Sequence, residues 1–174
     1  MSEETAAEER IATALIELLR KDSLDRISIT DITTVAGVSR VSYYRHFSSK
    51  EDILLKHTCY VLDSLIEEIR AGGLRSGASF WQRFTKVLGE SELVISMERA
   101  GLLDEFFSLF DERMRIIFSI VMGLDMDDKI NLVMLKFISG GLIRLLRSSV
   151  VDDKEINEND ITSFLRLLGE KVLL

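Results

Sequence analysis

The sequence contains no proline and a single cysteine, and both shortages narrow the possible folds. Proline makes up about 5% of an average protein and is excluded from helix interiors, so its absence from 174 residues favours an all-α protein. The lone Cys59 excludes an internal disulfide framework and a cysteine-rich zinc site. The cytosol is the usual compartment of such chains, and we expect a cytoplasmic protein.

Long uncharged segments are also missing. The longest, Ile116 to Leu124, has nine residues, whereas a membrane-spanning helix needs about 20. The N-terminal Met-Ser-Glu-Glu is acidic and poor in apolar residues, which is not typical of a secretory signal. We therefore expect no membrane partner. Hydrophobic residues make up 47% of the chain and charged residues 29%, a composition that favours a folded core over disorder.

An excess of positive charge is the third thing that the sequence lacks. It has 22 basic and 29 acidic residues, hence a net charge of -7. Alone, this value argues against a nucleic-acid partner, because phosphates favour a basic surface. However, the segment from Arg26 to Lys50 has four basic residues and one acid, Asp31, so it carries +3 while the remainder carries -10. A basic segment on an acidic protein is compatible with DNA binding.

Apolar residues recur at helical spacing along most of the chain. The first four predicted helices run over about 5–22, from Ser28 to Gly37, from Ser39 to Phe47, and from Ser48 or Ser49 to Gly72-Gly73. Further helices are predicted near 77–89, 93–97, 102–124, 130–150 and 161–172. No segment has a confident strand pattern, so the predicted fold class is all-α.

The segment from Ser28 to Phe47 has the pattern of a helix-turn-helix. Ser28 with Asp31 forms a near capping box, and Gly37 provides the positive φ angle of a sharp turn. The first helix of such a motif braces the second, which presents polar side chains to a DNA groove. The residues predicted to point inward are Ile32, Val35, Ala36 and Val38.

Residues Ile27 to Leu54 resemble the TetR/AcrR family of bacterial transcription regulators. The segment contains, in the family's order, a serine N-cap, Ala-Gly-Val-Ser, Tyr-Arg-His-Phe and Ser-Lys-Glu. Val41 departs from the family pattern, which often has glycine or alanine at this position. We expect this difference to affect which operator sequence is read and not to affect the fold. The resemblance implies a three-helix DNA-binding head with a helix-turn-helix at 1–50 and an α-helical ligand-sensing and dimerisation body at 51–174.

The resemblance also implies roles for individual residues of the head. Arg40, Ser42 and Tyr43 would read base edges, and Ser39 would cap the recognition helix beside the DNA. Phosphates would be contacted by Ser28, Thr30, Tyr44, His46 and Lys50. Tyr43 has an alternative, which is to pack inward, because the family often has an aliphatic residue at this position. Phe47 is expected in the core.

Two further surfaces are expected in the body, a homodimer seam and an effector pocket. The seam is predicted at Leu135, Leu142, Ile143, Leu146, Ile161, Phe164, Leu165 and Leu168. The pocket is predicted at Cys59, Trp81, Phe84, Met97, Phe106, Phe110, Met114 and Phe118. For both sets the alternative is that the residues fill the core of one chain.

The expected function is a DNA-binding transcriptional regulator, a repressor that a small-molecule effector releases from its double-stranded operator. The alternative is a helical regulator that acts mainly through a protein partner, as a coactivator or adaptor. The sequence has no zinc motif, phosphate loop or nucleophile–base pattern, so neither an enzyme nor a bound metal or cofactor is expected.

Overall fold

The computed structural model describes residues 3–72 and 92–151, together with the single positions 83, 84, 86, 160, 163, 164 and 167. Its helices are α1 (Glu3–Leu19), α2 (Ile29–Ala36), α3 (Arg40–His46), α4 (Lys50–Arg70), α5 (Leu93–Arg99), α6 (Leu103–Met122) and α7 (Lys129–Val151). No strand occurs in this part of the chain, and the all-α prediction is confirmed. The helices predicted near 77–89 and 161–172 fall mostly outside the described residues.

The first three helices form a head around the apolar face of α1. That face buries Ile11, Leu15 and Leu19, which have the predicted helical spacing. Helix α1 packs against α2, α3 and α4, so the two helices of the predicted helix-turn-helix are held from one side. Ile32 of α2 and Phe47 after α3 are buried in the same core. Val35 is half exposed, so the prediction that it points inward is wrong.

Helix α4 joins the head to the body. It packs against α1 at one side and against α5 and α6 at the other, while α7 packs across α5 and α6. The buried residues of all these helices form one continuous hydrophobic cluster. Because no break in the core separates residues before and after position 50, the division of the chain into 1–50 and 51–174 remains a prediction.

The two faces of α7 differ from the sequence prediction. Leu135, Leu142 and Ile143 are buried in the core of the monomer, so the assignment of these three to a dimer seam is wrong. The exposed apolar residues of α7 are Ile130, Val133 and Phe137, of which Phe137 is 81% exposed. The side chain of Leu146 and residues Ile161, Leu165 and Leu168 lie outside the described part, and Phe164 is about half exposed.

The predicted effector pocket is filled by its own side chains. Phe84, Met97, Phe106, Phe110, Met114 and Phe118 are completely buried. The rings of Phe106 and Phe110 stack with centroids 5.5 Å apart, and Phe84 lies 6.0 Å from Phe110. These contacts are core packing, which corrects the pocket prediction for the six residues. Cys59 is partly buried on α4, and Trp81 lies outside the described residues.

None of the described helices has the length and apolar character that crossing a lipid bilayer requires. Within the described ranges, there is also no group of three or more His, Cys, Asp or Glu side chains placed to hold a metal ion.

Candidate nucleic-acid interface

Helix α2 begins at a complete capping box. The Asp31 backbone N–H donates to Ser28 Oγ over 3.2 Å, and the Ser28 N–H donates to Asp31 Oδ2 over 2.9 Å. The Ser28 hydroxyl also donates to this carboxylate over 2.6 Å, and these hydrogen bonds hold the pKa of Asp31 below its usual value. The capping box fixes where α2 starts, because it satisfies backbone N–H groups that have no partner within the helix.

The turn between α2 and α3 depends on Gly37. Its φ angle of 63° lies in the left-handed region, where a side chain is strained. The Gly37 and Val38 N–H groups donate to the Thr34 and Thr33 carbonyls over 3.2 and 3.0 Å, which completes the end of α2. Two residues later, Ser39 Oγ accepts from the Ser42 N–H over 3.0 Å and starts α3.

The outward face of α3 carries Arg40, Val41, Tyr44 and Arg45. All four are exposed, Val41 to 71% and Tyr44 to 55%. Among the residues that the structure describes, neither Arg40 nor Arg45 has an ion-pair partner. Two free guanidinium groups beside two exposed apolar side chains can meet both the phosphates and the base edges of a DNA groove.

Tyr43 faces the opposite way and is completely buried. The prediction that Tyr43 reads a base edge is therefore wrong, and the alternative of inward packing is confirmed. The helical period explains the difference, because Tyr43 lies on the side of α3 that packs against α1 and α2. Its ring meets that of Tyr44 edge to face at 5.2 Å, so the buried tyrosine orients the exposed one.

The Tyr43 hydroxyl has no hydrogen-bond partner among the described residues, and burial raises the pKa of this phenol to about 12. We expect Tyr43→Phe to leave the free energy of unfolding unchanged at neutral pH or to raise it by up to about 1 kcal/mol, because an unsatisfied buried hydroxyl is removed. The unfolded phenol ionises near its ordinary pKa of 10.0, so wild-type stability falls as the pH rises from there towards 12.

The advantage of the phenylalanine variant should consequently increase over that range, since its side chain does not ionise. Urea unfolding of both proteins at neutral pH and near pH 11 measures this difference. Tyr44→Phe is the control for removal of an exposed hydroxyl at neutral pH and should change stability by less than about 0.5 kcal/mol. If the difference in stability between Tyr43→Phe and the wild type became smaller at high pH, the Tyr43 hydroxyl would not be a buried group with a raised pKa.

His46 is also turned away from the predicted phosphate contact. Its side chain is 8% exposed, and its Nδ1 lies 3.0 Å from Glu8 Oε1 on α1. The His46 carbonyl accepts from Lys56 Nζ over 2.7 Å, which ties the end of α3 to α4. His46 thus braces α3 between two other helices, which corrects its predicted role.

Lys50 corrects a third prediction, a phosphate contact at the start of α4. A cation at a helix N-terminus is disfavoured by the helix dipole, so this position requires a compensating interaction. The Lys50 ammonium donates to the Ile27 carbonyl over 2.9 Å and to the Leu24 carbonyl. Both carbonyls belong to the segment that leads into α2, so Lys50 positions the helix-turn-helix from behind.

The remaining predicted residues stay on the surface. Ser28, Thr30 and Ser39 are exposed and Ser42 is half-buried, all at or near the first turns of α2 and α3. Val41 and Arg45 are exposed on the same side of α3. The sequence placed Arg45 among the polar residues of this helix and linked Val41 to the operator, but it assigned neither residue a specific contact. Helical spacing favours both as contacts, because a helix that buries Tyr43 exposes the residues about two positions away on its other side.

An open cleft of about 680 Å³ lies between the end of α4, α6 and the turn before α7. Its lining residues are Ile69, Arg70, Arg115, Ile116, Ser119, Ile120 and Met126. Ligand sites in proteins commonly measure about 300–1,000 Å³, and the volume of this cleft is in that range, although the cleft is largely open to solvent.

Comparison with known sequences shows that the helix-turn-helix region is similar to that of bacterial regulatory proteins. Residues 11–56 match the family model of bacterial regulatory proteins of the tetR family. The chain is 30% identical over 86 residues to the HTH-type transcriptional regulator YvdT of Bacillus subtilis (strain 168). This alignment covers 49% of the present chain and spans 44% of that protein, which is less than half of its length.

Solved structures resemble the whole fold. A transcriptional regulator of Aquifex aeolicus VF5 superposes with a TM-score of 0.67 at 21% identity, and the match covers 97% of this chain and 99% of that one. A TetR-family regulator of Syntrophomonas wolfei strain Goettingen gives a TM-score of 0.72 at 19% identity, with coverages of 96% and 94%. At these identities the likeness concerns the arrangement of helices.

Proposed function

We propose that this chain, which belongs to the TetR/AcrR family of bacterial transcription regulators, binds a double-stranded DNA operator as a homodimer and thereby regulates transcription. The observation that carries the proposal is the outward face of α3. Local caps fix both α2 and α3, and the four residues Arg40, Val41, Tyr44 and Arg45 project from the short helix that the family uses for recognition.

Homodimerisation is supported by the outward face of α7. Ile130, Val133 and Phe137 form an apolar stripe at helical spacing, and Gly140 and Gly141 continue it with open space around them. Such a stripe on a helix that already packs its other face in the core is typical of an interface. Two copies joined here would present two α3 helices to half-sites about 34–36 Å apart.

We propose that the protein represses transcription and that a small-molecule effector releases it from its operator. We also propose that it acts in the cytoplasm. Helix α4 supports this proposal, because its first residue, Lys50, holds the entry to α2 and its last turn lines the open cleft. A helix of 21 residues is about 30 Å long. A ligand that favours one position of α4 would change the placement of the heads, provided that it binds the two states with different affinities.

Substitution of Arg40 tests the DNA contact. Binding sequences are first selected from a library of random duplexes, and the dissociation constant of the enriched duplex is measured by fluorescence anisotropy at several salt concentrations. We expect Arg40→Ala to weaken this binding at least about tenfold and to relax the base preference at one position of each half-site, because an arginine–guanine pair contributes about 1–3 kcal/mol of discrimination.

Lys129→Ala is the matched control, since it removes an exposed cation at the start of α7. It should bind the enriched duplex like the wild type. Failure of the wild-type protein to enrich any sequence, or binding without dependence on salt, would refute the proposed function.

A further inference from the structure

Val41 is the most exposed apolar side chain of the helix-turn-helix. It is the second residue of α3 and is 71% exposed, and its neighbour on the same face, Tyr44, is 55% exposed. The apolar cluster of the protein includes the partly buried Val38 but not Val41. The fold therefore gives no packing reason for a valine at this position.

Local helix chemistry gives no reason either. A β-branched side chain loses rotamer freedom in a helix, and alanine would suit an exposed site of a short helix better. Because this valine neither packs in the core nor stabilises its helix, we expect it to contact a partner molecule. The guanidinium groups of Arg40 and Arg45 lie on the same face, and their charge fits an anionic partner.

The major groove of DNA offers one apolar group among its base edges, the C5-methyl group of thymine. The first residues of a recognition helix are those that approach base edges. On the basis of the proposed function, we propose that Val41 contacts a thymine C5-methyl group and thereby selects a T·A pair in each half-site of the operator. Its branched side chain has no donor or acceptor, so it distinguishes thymine by the methyl group alone.

The test uses duplexes enriched from a random library by the wild-type protein. Each thymine of the enriched half-site is replaced in turn by uracil, which lacks only the C5-methyl group, and dissociation constants are compared. At one thymine position, wild-type binding should weaken about fourfold per half-site, the size expected for one methyl group removed from an apolar contact.

Val41→Ala should bind the thymine and uracil duplexes within about twofold of each other. The variant should fold, because an exposed valine is replaced by a better helix former. Val35→Ala is the matched control: Val35 is a half-exposed valine on α2, in a groove beside Glu9 and Thr13 of α1. This control should keep the wild-type preference for thymine.

The outcomes separate the inference from the proposed function. If no duplex is enriched, the proposed function fails and the inference fails with it. If a duplex is enriched but no uracil substitution weakens binding, DNA binding stands and the role of Val41 is refuted. An undiminished thymine preference in Val41→Ala also refutes it and assigns the methyl contact to another residue, of which Tyr44 is the nearest exposed example.

Discussion

A Phe137→Asp variant is expected to be monomeric and to lose operator binding. Phe137 lies in the middle of the exposed stripe of α7 and is 81% exposed in the single chain. Burial of one phenylalanine stabilises an interface by about 1.5–3 kcal/mol, and a symmetric dimer contains two copies. Removal of both corresponds to a dimerisation constant weakened more than about 100-fold, before the cost of burying two carboxylates is added.

Sedimentation equilibrium measures the dimerisation constant, and anisotropy with the enriched duplex measures binding. The folded state of the variant is checked by circular dichroism, where an unchanged helical signal is expected. Its thermal midpoint should be lower than that of the wild type and independent of protein concentration, because dimerisation no longer stabilises the fold. Tyr60→Asp is the matched control, since Tyr60 is an exposed aromatic residue on α4. A Phe137→Asp protein that remains dimeric, with Tyr60→Asp as a monomer, would move the interface from α7 to α4.

Sequence patterns were sufficient to predict the helix-turn-helix but insufficient to choose the outward face of α7. The start of α2, its end at Gly37 and the start of α3 at Ser39 depend on hydrogen bonds within a few residues. The segment of α7 is apolar on nearly all sides, so periodicity does not separate its core face from its exposed face. Leu135 and Phe137 are equally good interface residues by sequence, and only packing against α5 and α6 distinguishes them.

The misassigned residues of the head have a similar cause. His46 contacts a glutamate 38 positions earlier, and Lys50 contacts carbonyls 23 and 26 positions earlier. No local pattern reports such distant partners. The resemblance to the family implies that His46 and Lys50 contact phosphates. In the folded protein both side chains instead contact other parts of the head.

Lys50→Met is expected to destabilise the protein while leaving the salt dependence of its DNA binding unchanged. The ammonium donates two hydrogen bonds to the partly buried carbonyls of Leu24 and Ile27. Since hydrogen bonds to charged groups contribute about 1.5–3 kcal/mol, removal of this pair should lower the free energy of unfolding by about 2 kcal/mol or more. For a chain of this size, that decrease corresponds to a midpoint about 4–8 °C lower.

Arg45→Met is the matched control, and we expect it to change the salt dependence of DNA binding but not the stability. Its guanidinium is exposed on α3, so unfolding should change by less than about 0.5 kcal/mol. Removing one phosphate-binding cation should reduce the slope of log K against log salt by about 0.9. If Lys50→Met instead reduced the salt slope and left the unfolding midpoint in place, Lys50 would bind a phosphate in the complex, and the entry to α2 would have to be held by the capping box of Ser28 and Asp31 alone.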